Sequence, residues 1–208
     1  MIHRAIEERI HNALAKKKAV TIMGPRQVGK STLADAIIPK DARILEINGD
    51  NTDVQTMFIN VDEAKMKVLI GNKNFLFVDE AQKIENVGNM LKIVTEKFKD
   101  VKVIVTGSSA FKLAEAVNES LTGRKREFRL YPLSFKEMAD ETSTLEESRM
   151  IDHRLIYGYY PEVVTSPGDE KEVLKELIDS YLYKDVMEEN NIAKPDKLVK
   201  LVQALAFQ

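Results

Sequence analysis

Short apolar runs alternate with helix-like patterns through the first two thirds of the chain. Strand-length runs lie at Ala19–Met23, Arg43–Ile47, Phe75–Val78 and Val101–Val105, and a fifth is expected around Phe128–Tyr131. Amphipathic segments separate these runs. The alternation is typical of βαβ units, so we predict an α/β fold with a parallel sheet.

Helices are predicted between the strands from apolar spacing and stop signals. The first should cover residues 3–16, where apolar side chains recur every four residues. The second is expected at 31–38, because Pro39 follows it and proline disfavours helix in the residue before it. Further helices are predicted at 53–70, at 87–98 and at 111–117.

The β pattern disappears after Ser134, and helix and turn signals replace it. We therefore predict a core over residues 1–133 and a smaller helical region over residues 134–208. The final helix should begin near Asp196, and it reaches Gln208 without a glycine stop or polar tail. We expect the chain to be a fragment cut upstream of a further domain.

Composition narrows the class of protein. The 208 residues are 44% hydrophobic and 31% charged, which allows a core to form. With no cysteine there are no disulfides and no thiolate zinc sites, and a reducing, cytoplasmic location is expected. Every apolar run is far shorter than the ~20 residues of a membrane span, so no membrane association is predicted. A net charge of −2 gives no global field for nucleic acid, so any DNA contact would be local or lie outside this chain.

The segment Gly24–Ser31 reads GPRQVGKS and matches the phosphate-binding pattern G-x-x-x-x-G-K-[ST] between a strand and a helix. Glycines let backbone N–H groups surround phosphate oxygens, and the following helix directs its positive dipole end at the same anion. Lys30 should bridge the β- and γ-phosphates, and the Ser31 hydroxyl should ligate Mg2+. The predicted nucleotide-binding residues are Gly24, Pro25, Arg26, Gln27, Val28, Gly29, Lys30, Ser31 and Thr32.

The strand at 75–78 is followed by Asp79 and Glu80. A buried parallel strand delivers Asp79 to the carboxyl edge of the sheet, where it can hold Mg2+ beside the phosphate-binding loop. Glu80 is placed to orient and deprotonate the attacking water. The alternative is that these carboxylates only cap the next turn.

The next strand ends in the small polar sequence Thr106-Gly107-Ser108-Ser109. Thr106 or Ser108 could reach the γ-phosphate or the lytic water as a sensor. Alternatively, Ser108 or Ser109 caps the helix expected at 111–117.

Arg124 follows Gly123 in a basic cluster with Lys125, Arg126 and Arg129. It is a candidate γ-phosphate sensor or arginine finger, because a planar guanidinium suits developing phosphate charge. We expect it to act on a neighbouring subunit, or after its own loop rearranges. The alternative is a solvated basic loop.

Adenine is the expected base, because the run Asn72-Lys73-Asn74-Phe75 lacks the aspartate of the guanine-specific N-K-x-D motif. The three histidines have no metal-ligand spacing, and no zinc site is predicted.

Together these motifs resemble a known family. They are joined by L-T-G-R, by the segment Leu130–Glu137 (LYPLSFKE), and by Tyr160–Val164 and Tyr181–Val186 in the helical region. The order and spacing resemble the AAA-type P-loop ATPases of bacteria and archaea in which a domain of unknown function follows the ATPase domain. The resemblance implies five parallel strands in the order 5-1-4-3-2, an adenine nucleotide, and a C-terminal extension that often contains a winged helix. Serine stands at position 31 where threonine is more frequent, and both supply the hydroxyl.

The sequence thus predicts an ATPase with ATP and Mg2+ as cofactors, whose turnover drives a change in an attached domain or partner. A slow nucleotide-gated switch is the alternative from another class, and a small-molecule kinase is disfavoured because no lid segment is evident. A homo-oligomer, and a protein or DNA partner bound through a region beyond this chain, remain open.

Overall fold

The computed structural model describes residues 2–108, 120–179 and 195–207. The chain divides into two compact units, Met1–Glu147 and Ser148–Gln208.

The first unit is built on a five-stranded sheet in which every pairing is parallel. Its strands are β1 (Ala19–Met23), β2 (Ile44–Asn48), β3 (Phe75–Asp79), β4 (Lys102–Gly107) and β5 (Lys125–Arg129). They lie in the order β2-β3-β4-β1-β5. This is the predicted order 5-1-4-3-2 read from the other edge, so the predicted fold is confirmed.

Helices cover both faces of this sheet. They are α1 (Glu7–Ala15), α2 (Lys30–Ile37), α3 (Thr52–Phe58), α4 (Glu63–Ile70) and α5 (Val87–Lys97), and one 3-10 turn lies at Ala81–Lys83. Two further helices, Phe135–Glu141 and Thr144–Arg149, follow the sheet.

Alternate residues of the strands enter two hydrophobic clusters, as the period of two in a strand requires. Val20 and Ile22 of β1 pack on one face with α1 and α2. Ala19 and Met23 pack on the other face with α4 and α5. Because β1 lies inside the sheet and is covered on both faces, all five of its residues are buried.

The fifth strand begins earlier than predicted, at Lys125 rather than near Phe128. The expectation was wrong because it followed the apolar residues, and β5 has few of them. It is an edge strand with one partner, and only Phe128 within it is buried. Strand pairing to β1 from Ala19 onward, rather than hydrophobicity, sets where it starts.

The helix predicted at 53–70 is two helices. Asp62 interrupts it, and its side chain accepts a hydrogen bond from the Lys65 N–H at 2.8 Å, which starts α4 as an N-cap. The helix expected at 111–117 lies outside the described residues.

The second unit is helical where it is described. Its helices are Ile151–Tyr157, Pro161–Thr165, Glu170–Leu177 and Pro195–Ala206. Val163, Val173 and Leu177 form a small core, and Tyr157 and Tyr160 pack against it. Two predicted motif tyrosines, Tyr181 and Tyr183, lie outside the described residues.

Across the part of the chain that the structure describes, no helix combines the length and the apolar character needed to cross a bilayer.

The buried face of α5 generates a stability test. Val94 is completely buried, whereas Val68 on α4 is 81% exposed. Val94→Ala should lower the free energy of unfolding by about 2 kcal/mol through lost burial and a residual cavity. Val68→Ala is the matched control, since it makes the same change in a helix of the same unit, and denaturant unfolding should show almost no loss. Equal effects of the two substitutions would contradict the assigned core.

Candidate functional site

The carboxyl ends of the parallel strands gather at one edge of the sheet. Met23 pairs with Gly107, and Asn48 pairs with Asp79. The residues that follow β1, β2, β3 and β4 therefore meet at this edge, which is where ligands bind in open α/β sheets.

The segment Gly24–Ser31 forms the loop from β1 into α2. Gly29 has φ +94°, and Gln27 has φ +57°, so two of its residues adopt the left-handed conformation. A side chain on Gly24 would place Cβ 2.3 Å from the Leu130 carbonyl oxygen, so this glycine is required by close packing. Gly29 has room for a Cβ, and its requirement is the positive φ instead.

Lys30 lies across this loop with its side chain buried. Its Nζ donates to the carbonyl oxygens of Gly24, at 3.0 Å, and of Pro25, at 2.9 Å. Glu80 Oε1 lies 3.8 Å from the same nitrogen. The ammonium is thus held at the centre of the loop, where it can neutralise phosphate charge.

The carboxylate of Asp79 joins three segments. Ser31 Oγ donates to Oδ2 at 2.8 Å, and the Thr106 hydroxyl donates to Oδ1. The Glu80 N–H also donates to Oδ1, at 3.2 Å. The contact between Ser31 and Asp79 links the phosphate-binding loop to the strand that bears the carboxylates.

Ser31 and Asp79 present the oxygen donors that Mg2+ prefers. Mg2+ is commonly held by one or two protein oxygens together with phosphate oxygens and water. Among the described residues, no group of three His, Cys, Asp or Glu could hold a metal by itself. The pair therefore fits a magnesium ion that is shared with a nucleotide.

Glu80 stands at a sharp turn after β3, in the left-handed conformation at φ +47°. Its Oε2 accepts a hydrogen bond from Ser108 Oγ at 3.0 Å and another from Gln82 Nε2. Gln82 Nε2 also donates to Ser108 Oγ, at 2.9 Å. The carboxylate thus lies between Lys30 and the polar pair Gln82 and Ser108.

The two sensor candidates lie in different environments. Thr106 is completely buried. Its hydroxyl donates a hydrogen bond to Asp79 and accepts one from the Glu80 N–H, so it helps to position both acidic residues. Ser108 lies beside the Glu80 carboxylate. The alternative capping role of Ser108 and Ser109 concerns a helix outside the described residues.

The remaining predicted loop residues differ in exposure. Val28 is buried, Pro25 and Arg26 are half-buried, and Gln27 and Thr32 are exposed. Pro25 contributes its carbonyl oxygen to Lys30.

Arg124 is not brought to this edge of the sheet. Its carbonyl oxygen accepts a hydrogen bond from the N–H of Ala19, the first residue of β1. The phosphate-binding loop follows Met23, the last residue of β1. That difference of four residues is about 13 Å along a strand. The guanidinium instead pairs with Glu96 at 2.7 Å on the exposed surface. Action of Arg124 on a nucleotide held by its own chain is therefore unsupported, and action on a neighbouring subunit stays a prediction.

Three features of the site were missed from sequence. Gln82 follows Glu80 by two residues, and its polar character was the available signal. Gly49 directly follows β2 and packs against the turn at Glu80, where an added Cβ would lie 2.3 Å from the Glu80 carbonyl oxygen. Arg4 contacts the carbonyl oxygen of Val28 from far away in sequence, and no local pattern announces it.

Comparison with family models finds two matches. A model described as an AAA domain matches residues 16–139. A model described as a domain of unknown function, DUF8612, matches residues 148–208.

Relatives by sequence cover the chain to different extents. The uncharacterized protein MJ1544 of Methanocaldococcus jannaschii is 28% identical over 206 residues, covering 91% of this chain and 46% of the relative. An uncharacterized protein of Haemophilus influenzae is 28% identical over 139 residues, covering 64% of this chain and 34% of the relative. The chain thus spans less than half the length of either relative.

The fold is shared with known structures, and an example can be described. It is the crystal structure of a signal transduction ATPase with numerous domains, with a tetratricopeptide repeat sensor, from Pyrococcus horikoshii. It matches at a TM-score of 0.55 and 12% identity, covering 86% of this chain and 32% of that chain.

The position of Arg124 makes its two interpretations separable. If the basic cluster is a solvated surface loop, as its pairing with Glu96 favours, Arg124→Ala should leave any ATP turnover at the wild-type rate at every protein concentration. An arginine finger acting between subunits would instead leave affinity nearly unchanged and lower kcat by ~10³-fold or more. In that case, mixing Arg124→Ala with Lys30→Ala protein should restore part of the activity, since a mixed pair retains one intact composite site.

Proposed function

This chain belongs to the AAA domain family, and on that premise we propose that it binds ATP with Mg2+ and hydrolyses the bond between the β- and γ-phosphates, releasing ADP and inorganic phosphate. Turnover would drive a conformational change in an attached region or a bound partner. Membership in the family supports an ATPase-like module. That this chain hydrolyses ATP and couples hydrolysis to a conformational change is what we propose.

The observation that carries the proposal is the 2.8 Å contact between Ser31 and Asp79, which lie 48 positions apart in sequence. It joins a loop built for phosphate to a strand that ends in two carboxylates. Phosphoryl transfer requires a metal position, a cation on the phosphates and a group that orients water, all at one place. Ser31 and Asp79 would supply the metal position, and Lys30 would supply the cation. Glu80 would supply the group that orients water.

Each side chain then has a role that its contacts support. Lys30 binds and orients the β- and γ-phosphates from inside the loop. Ser31 and Asp79 hold Mg2+, which neutralises phosphate charge when bound. Glu80 orients the attacking water and accepts its proton at a carboxylate oxygen. Ser108 and Gln82 hold that carboxylate in place.

A slow nucleotide-gated switch is the second candidate, and one observation favours it. Glu80 Oε2 already accepts hydrogen bonds from Ser108 and Gln82, so the carboxylate must share its lone pairs between these groups and a water. A base constrained in this way would turn ATP over slowly, and bound nucleotide would then set partner affinity.

The wider assignments belong to the same proposal. Adenine is preferred because the guanine-specific motif is incomplete at Asn72–Phe75. The cysteine-free composition fits the cytoplasm. A homo-oligomer and a protein or DNA partner are proposals as well, because the chain spans 46% of the length of its Methanocaldococcus jannaschii relative.

Steady-state phosphate release from ATP, measured with Mg2+ or EDTA and with or without DNA, tests the function and separates the two candidates. An ATPase should release phosphate continuously and only with Mg2+. A switch should bind ATP and release less than one phosphate per chain over minutes. A folded protein that binds no ATP would sink both candidates.

Lys30→Ala should abolish measurable ATP binding, because its ammonium is the main cationic contact of the phosphates. Calorimetric titration with Mg-ATP measures this, and circular dichroism shows whether the fold is kept. Lys40→Ala, at an exposed lysine shortly after α2, is the matched control and should bind like wild type. Tight binding by folded Lys30→Ala protein would rule out the loop as the phosphate site.

Glu80→Gln should keep ATP and Mg2+ bound and slow hydrolysis by ~10²-fold or more, because positioning survives while the proton acceptor is lost. Single-turnover hydrolysis measures the chemical step directly. Glu85→Gln is the control, since that side chain is exposed a few residues further along. Unchanged turnover in Glu80→Gln would place the base elsewhere.

A further inference from the structure

Arg4 is a buried arginine that lies outside every sequence motif. It is 7% exposed, although it precedes the first helix. Burying a charge is costly unless the charge is paired and hydrogen-bonded. The guanidinium meets that condition with donors to Glu137 Oε1 at 3.1 Å, to the Val28 carbonyl oxygen at 3.1 Å and to the Tyr131 carbonyl oxygen at 2.6 Å.

The contact with Val28 acts on the peptide that enters Gly29. A trans peptide is planar, so its C=O and N–H point in opposite directions. Arg4 holds the Val28 carbonyl from outside the loop, and the Gly29 N–H therefore points away from Arg4. In a loop of this kind the backbone N–H groups point inward to the phosphates.

The loop itself does not fix this orientation. Gly29 adopts φ +94°, and glycine populates positive and negative φ about equally well. Gln27 at φ +57° is in a conformation that costs energy for a residue with a side chain. Arg4 contacts the loop between these two residues, at the Val28 carbonyl oxygen, and so restrains the orientation of the peptide there.

Glu137 fixes Arg4 in turn. Its Oε1 also accepts from the Ala5 N–H at 2.9 Å, and its Oε2 accepts from the Ser134 N–H at 2.8 Å within a capping box. Burial would raise the pKa of Glu137, but the N–H groups of Ala5 and Ser134 together with Arg4 keep it below its usual range. The carboxylate therefore stays charged and holds the guanidinium plane in place.

We propose that Arg4, held by Glu137, is a positioning residue that sets the orientation of the Val28–Gly29 peptide and so prepares the loop for phosphate. The proposal rests on the function proposed above. The segment Leu130–Glu137 has a role in this arrangement, because its Tyr131 carbonyl oxygen and Glu137 carboxylate both accept hydrogen bonds from Arg4.

The test uses two ligands with Mg2+: ATP, and inorganic pyrophosphate as a probe that has only phosphate groups. Arg4→Met should weaken both by the same factor, ~10-fold or more, the range for a lost hydrogen bond to a charged group. Arg4→Lys keeps the charge but not the planar fork, and should fall between Arg4→Met and wild type. Glu137→Gln should also weaken the binding of both ligands. If Arg4→Met does not fold, Arg4→Lys and Glu137→Gln carry the test.

Arg9→Gln is the matched control, because Arg9 is an exposed arginine of α1 that lies over the Phe128 ring at 5.6 Å. It should bind both ligands like wild type. Thermal unfolding without ligand measures how far each substitution lowers the stability of the fold itself. Wild-type affinity for both ligands in Arg4 variants that only melt earlier would overturn the proposal, as would weaker ATP binding with unchanged pyrophosphate binding. Wild-type protein that binds neither ligand would overturn the proposed function instead.

Discussion

The site depends on the carboxylate of Asp79, which accepts hydrogen bonds from the Ser31 and Thr106 hydroxyls and from the Glu80 N–H. These donors come from the phosphate-binding loop, from β4 and from the turn after β3. Bonds to an ionised acceptor are the stronger kind, and a buried hydroxyl such as that of Thr106 is costly to leave unpaired. One side chain thus holds the proposed metal position and the proposed water-orienting group in a fixed relation.

The parallel sheet makes this arrangement possible, and two glycines allow it to close. Parallel pairing sends every carboxyl end to one edge, so short polar segments meet there without any long insertion. Gly24 lies against the Leu130 carbonyl and Gly49 against the Glu80 carbonyl, at distances that no Cβ tolerates. Neighbouring backbone segments thus approach each other closely at this edge, which restrains the polar groups that they carry.

Two arginines show how position in the fold changes the role of the same side chain. Arg124 carries a motif-like sequence context, yet parallel pairing puts it at the amino edge, where it makes an exposed ion pair of the kind that contributes little. Arg4 has no such context, yet it is buried and reaches the loop that we propose binds phosphate. Charge clustering along the chain indicated the first arginine, and only contacts across 24 to 133 positions reveal the second.

The sequence by itself determined the fold class, the strand order through its family resemblance, the loop at Gly24–Ser31 and the two carboxylates at the end of β3. Apart from the strand order, these are local properties, since spacing of apolar residues and glycines acts within a few positions. The tertiary structure decided the start of β5, the division of the helix predicted at 53–70, the support of Glu80 by Gln82 and Ser108, and the placement of both arginines. An edge strand with charged residues has no apolar run to mark it, and hydrogen bonds between distant segments leave no periodic trace in one sequence. Such contacts exist only once the sheet has brought their partners together.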